Sequence, residues 1–133
     1  MPNHWLLKTE PSTYSWDDLE RDKKAIWDGV TNPVALRNIA AMTPGDDALI
    51  YHTGDEKAVV GLARVTKAAY PDPKAKDPKL LVVDLEPVRR VARRTTLAEI
   101  KADALFRESA LVRQGRLSVV RLDDQQFRKL TQP

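Results

Sequence analysis

Cysteine is absent from the 133-residue sequence, so neither a disulfide framework nor a thiolate metal site can form. That absence fits a reducing cytoplasm. Histidine is scarce too: His4 opens one apolar run and His52 closes another, beside Tyr51 and Thr53. Two imidazoles at strand ends give a nucleophile, base and orienting group little to draw on. HxH, HxxxH and HxxE spacings are missing, as are a G-x-S-x-G elbow, a P-loop and a dinucleotide fingerprint, so neither a metal nor a cofactor is expected. Lys8 and Glu10 could work as an acid/base pair, but such a pair beside a strand end is more often a salt bridge. No apolar run is long enough to span a membrane. The opening MPNHWLLKTEP lacks the basic start and apolar stretch of a signal peptide, so a cytoplasmic protein with no membrane partner is expected.

What is present suits one globular domain over residues 1–133. Hydrophobic residues make up 42% and charged residues 31%, too apolar a balance for a disordered chain. His4–Lys8 is a short apolar run predicted as a buried strand, stopped at Thr9-Glu10-Pro11. Ser15 and Asp18 have the spacing of a capping box for a helix to about Asp22, and Ala25–Trp27 is predicted as a brief strand. Asn32-Pro33 predicts a helix start, and Leu36, Ile39 and Ala40 follow at helical spacing. Ala48–His52 and Ala58–Val65 are predicted as strands around a turn at 53–56, with Gly61 marking a bulge or a close backbone approach. The proline-rich 70–78 stretch is predicted as a loop, 80–85 and 118–122 as strands, and Thr96–Glu99 as a second capping box. Asp123 caps a last helix with Phe127 and Leu130 facing inward. Strands outnumber helices without regular βα alternation. The expected class is α+β: a curved, mainly antiparallel sheet or small barrel with short helices packed on it.

Net charge is only +3, but arginine crowds the second half: Arg89, Arg90, Arg93 and Arg94, then Arg113, Arg116, Arg121 and Arg128. Such a bias suits an anionic partner such as nucleic acid, and suits a merely solvated face equally well. Polar and aromatic residues recur at the predicted strand ends: Lys8-Thr9-Glu10, Trp27-Asp28, Tyr51-His52 and Tyr70-Pro71-Asp72. In a small barrel such ends converge on one rim, where a flat ligand could be stacked by rings and read at its edges by polar groups. Any one of these rings could equally be a core residue.

The segments WLLKTEP (5–11), YSWDDL (14–19), WDGVTN (27–32), PGDDALIYHT (44–53), VVGLARV (59–65), AYPDP (69–73), VDLEPV (83–88), TLAEIKAD (96–103) and LVRQGRLSV (111–119) run in order over nearly the whole chain. Together they resemble the EVE domain family of the PUA-like superfamily, related to the YTH readers of methylated adenine. The resemblance implies a PUA-like barrel with peripheral helices that binds a modified base in DNA or RNA, without catalysis and as a monomer. It assigns Lys8, Thr9, Glu10, Trp27, Asp28, Val30 and Asn32 to the ligand pocket, with Tyr51, His52 and Tyr70 as the facing wall. Trp27 is the expected cage ring, on a turn with one face open. Arg113 and Arg116, and then Arg93 and Arg94, are the expected phosphate contacts. Thr31 and Gly115 depart from the family pattern, where arginine and serine are common. Two other functions compete: an enzyme acting on a nucleotide through Glu10 or His52, and a protein-interaction adaptor.

Overall fold

The computed structural model describes residues 3–132. At its centre β1 (His4–Thr9) pairs in parallel with β3 (Asp47–His52) and antiparallel with β6 (Val119–Leu122). The long β4 (Ala58–Pro71) joins β3 to β5 (Leu81–Thr96), and β2 (Ala25–Trp27) lies on the outer side of β5. The sheet order is β2-β5-β4-β3-β1-β6. Five α-helices accompany it among the described residues: α1 (Trp16–Asp22), α2 (Pro33–Ala41), α3 (Leu97–Ala102), α4 (Ala110–Arg113) and α5 (Asp124–Thr131).

The mixed α+β class holds, with a correction to the barrel. No ladder joins β2 to β6, so the sheet is open. Its outer strands are short: β2 has 3 residues, β6 has 4, and β6 stops pairing at Leu7. The sheet nevertheless curls. Register shifts at Ile50/Tyr51, Val59/Gly61, Leu62/Ala63, Val65/Lys67 and Lys67/Tyr70 each bend and twist the strands that carry them. Helix α2 bridges the open side, touching β4, β5 and β6, with the Asn38 amide donating to the Val119 carbonyl at 2.8 Å.

Three capping boxes set helix starts, at Ser15/Asp18, Thr96/Glu99 and Asp123/Gln126. The structure corrects two strand lengths. β4 runs on to Pro71, taking in Tyr70, and β5 runs on through the arginine cluster to Thr96. These extensions are mostly exposed, so no buried apolar periodicity marks them. The core is formed by Trp5, Leu6, Leu7, Trp16, Ile39, Leu49, Ile50, Val83 and Leu85, each at most 1% exposed. Burial of one such aliphatic chain contributes about 1.5–3 kcal/mol. Asp46 lies among them, accepting from the Trp5 indole N–H and the Asn3 and Thr43 backbone N–H groups. Burial alone would raise its carboxyl; these donors outweigh that and hold it below the usual carboxylate range.

Candidate functional site

The curl leaves a cavity of about 730 Å³ between the end of β1, beyond the reach of β6, and the free edge of β2. Lys8, Thr9 and Ser118 form one wall, and Ala25–Val30 another, with Tyr14 and the Asp72–Lys74 segment completing the rim.

Lys8 pairs in register with Tyr51, and its ammonium lies 5.7 Å from the centroid of that ring. Its Nζ donates to the Gly115 carbonyl at 2.9 Å, and partial burial holds its pKa below that of an ordinary lysine. The Thr9 hydroxyl donates to the Tyr14 carbonyl at 2.7 Å, tying the β1 end to the entry of α1. Trp27 is the last residue of β2, paired with Val83, and 8% of it is exposed. It sits at a strand end rather than on the expected turn, and Tyr14 meets it edge-on at 6.3 Å. Burial, and then the hydrogen bond to Asp22, push the Tyr14 phenol up to about 12, so it remains a neutral donor. Beyond Trp27 the chain turns at Gly29, whose φ of +78° suits glycine although space for a Cβ is open. Asp28 is exposed on this turn and makes no hydrogen bond or ion pair among the described residues, while Val30 is buried.

The candidate residues therefore separate. Lys8, Thr9, Trp27, Asp28 and Val30 line one cavity; Glu10, Asn32, Tyr51, His52 and Tyr70 do not. Glu10 faces the 53–54 turn, accepting from the Ser12 and Thr53 hydroxyls. The Asn32 oxygen accepts from Val34 N–H at 2.8 Å and Ala35 N–H at 3.1 Å, so it caps α2. Tyr51 is 3% exposed. His52 Nε2 accepts the Trp16 backbone N–H at 3.0 Å, which leaves Nδ1 to donate to Glu56 at 2.7 Å. The Tyr70 hydroxyl donates to Asp84 at 2.5 Å, and that bond pushes its pKa up to about 12. A strand end fixes where a residue lies but not which side it faces, because successive side chains alternate. Tyr14 also lines the cavity, although it stands at no predicted strand end and is marked in the sequence only by the capping box that follows it.

The basic candidates separate in the same way. Arg93 is bound to Glu99, Arg94 to Glu56 and Arg113 to Glu108, so three of the four expected phosphate contacts are already paired. Arg116 is exposed without an ion pair among the described residues, one position from the carbonyl that holds Lys8. His4 is also committed, between Asp47 and Asp124 at 2.9 Å each and stacked on Phe127.

Residues 3–132 match the family model described as the EVE domain. Mouse thymocyte nuclear protein 1 is 32% identical over 161 aligned positions, covering 96% of this chain and 71% of the mouse protein. The solved structure of a protein from Rhodopseudomonas palustris superposes with a TM-score of 0.90 at 34% identity, over 97% of this chain and 90% of that one. The human THYN1 protein, in complex with DNA containing 5-methylcytosine, superposes with a TM-score of 0.89 at 29% identity, over 97% and 95% of the two chains.

Proposed function

The chain belongs to the EVE domain family, and from that premise we propose that it is a non-catalytic module that takes a modified base of nucleic acid into the cavity beside Trp27. The carrying observation is that cavity, with aromatic walls from Trp27 and Tyr14 and polar groups at its edges. Lys8 keeps ammonium donors beyond its bond to Gly115, and Asp28 supplies a carboxylate that no group among the described residues satisfies. An inserted cytosine offers an N4 amino group to such a carboxylate and ring acceptors to the donors. The human relative bound to 5-methylcytosine DNA makes a methylated cytosine in DNA the first ligand to test, with RNA as the second.

Binding without catalysis suits the histidines, both held in bonds away from the cavity. The module needs no cofactor and acts as one copy of the chain. Its expected setting is the cytoplasm; the vertebrate relatives are named as nuclear proteins, and both compartments are reducing and hold nucleic acid.

Fluorescence-anisotropy titrations with oligonucleotides differing only at one base test the reading. Tighter binding of the 5-methylcytosine strand than of its cytosine counterpart is expected. Equal affinity across a panel of modified and unmodified bases would overturn it.

A further inference from the structure

We propose that Lys24 and Lys74 hold the phosphates flanking the inserted nucleotide, and that the paired arginines of the second half do not. The inference rests on the base-binding reading above. A module that takes in one base still requires charge on the strand carrying it, since phosphate contacts supply most of the sequence-independent affinity.

Both lysines line the cavity, from separate parts of the chain: Lys24 just before β2, Lys74 on the loop between β4 and β5. Both are exposed, and neither forms an ion pair among the described residues. The arginines differ. Arg93, Arg94 and Arg113 each face a glutamate, and Arg90 faces Asp17 and Glu20. A cation already neutralised releases fewer condensed counterions on meeting DNA than a free one.

Acid on the cavity wall does not cancel the lysines. Asp22 is occupied by Arg21 and the Tyr14 hydroxyl. Asp72 turns inward on its own loop, accepting the Lys74 backbone N–H at 2.9 Å. That leaves Asp28, assigned above to the base. The loop is also held in shape: Asp72 N–H donates to the Leu80 carbonyl at 2.8 Å across its neck, and Asp77 accepts from Lys79 N–H. Lys74 is thus presented from a braced loop, which lowers the ordering entropy of a phosphate contact.

The test measures the affinity of the full chain for a 5-methylcytosine oligonucleotide and its cytosine counterpart as salt is varied, in wild type, Lys24→Ala, Lys74→Ala and Lys101→Ala. Lys101 is an exposed lysine on α3 outside the cavity lining, so its loss controls for net charge. Each cavity lysine variant is expected to flatten the slope of log K against log salt by about 1. Each should also weaken both oligonucleotides by the same factor, because phosphates carry no base identity. Slopes equal to that of Lys101→Ala, with methyl preference intact, would overturn this proposal and leave the base reading standing. A wild type without methyl preference would overturn the base reading, and this proposal with it.

Discussion

Gly61 lies against the Trp16 indole so closely that a Cβ built on it would stand 2.4 Å from the ring. The strand gives up a side chain there so that α1 can seat its tryptophan on β4, next to the register shift at Val59/Gly61. The neighbour is a fully buried ring that cannot swing away. Gly61→Ala should therefore destabilise the fold by about 1–3 kcal/mol, the usual range for overpacking. Trp16→Phe shortens the obstacle and removes an indole N–H that has no partner among the described residues. In that background the alanine should cost less, with a coupling of about 0.5–3 kcal/mol in a double-mutant cycle by urea unfolding. Additive effects would mean that the two residues do not press on each other.

The Glu99–Arg93 pair gives a pH signature. The Arg93 hydrogen bond, and next the Thr96 backbone N–H, hold the Glu99 carboxyl down at about 2 against an ordinary 4.5. A depressed carboxylate stabilises the fold above its unfolded value, and that contribution fades as pH falls from about 4.5 toward about 2. Glu99→Gln keeps the capping box and loses the charge. Its Tm should lie below that of wild type near neutral pH, and the gap should close by pH 2. A gap constant across that window would mean that the Glu99 charge contributes nothing to it.

Asp28 carries the chemical discrimination. A carboxylate accepts from the amino group of 5-methylcytosine, whereas thymine, with the same methyl group, presents a carbonyl there. Wild type should therefore reject a thymine strand. Asp28→Ala should lose about tenfold or more in affinity, the size of one charge-assisted hydrogen bond. Asp28→Asn offers an amide N–H and should narrow the gap between 5-methylcytosine and thymine. An unchanged ratio in Asp28→Asn would remove Asp28 from the base edge.

Local signals were legible where a few residues decide the outcome. Ser15 with Asp18, Thr96 with Glu99 and Asn32 before Pro33 each start the expected helix, because capping needs only neighbours. At Gly61 the sequence predicts a bulge or a close backbone approach, and a register shift and the Trp16 ring are both there, although nothing in the sequence names Trp16 as its partner. The far halves of β4 and β5 were not legible, since exposed Arg93 and Arg94 carry no burial pattern and pairing across the sheet decides their conformation. The candidate site was half legible for a related reason. Lys8 and Trp27 reach the cavity, while Tyr51 lies buried beside Lys8 and His52 is committed to the first turn of α1. Which side a residue faces depends on the curl of the sheet, and that is set by five register shifts spread over three strands.

Trp27 and Trp5 offer the last comparison, because both are large, both are largely buried, and only one borders the cavity. Trp5 is 1% exposed on central β1 and donates its indole N–H to Asp46 at 2.9 Å. Trp5→Ala removes that packing and deprives a buried carboxylate of a donor. It should cost at least the roughly 3–5 kcal/mol typical of a buried tryptophan. Trp27 ends a three-residue edge strand, with Tyr14 edge-on and the cavity beside it. Its truncation should destabilise less. If the inserted base packs on that ring, Trp27→Ala should also weaken binding of the methylated strand by about tenfold to a hundredfold, as stacking worth roughly 1–3 kcal/mol implies. Urea melts and oligonucleotide titrations on both variants separate the effects. A Trp27→Ala protein that melts as early as Trp5→Ala would make Trp27 a core residue, and one that stays folded with unchanged affinity would remove it from the base-binding wall.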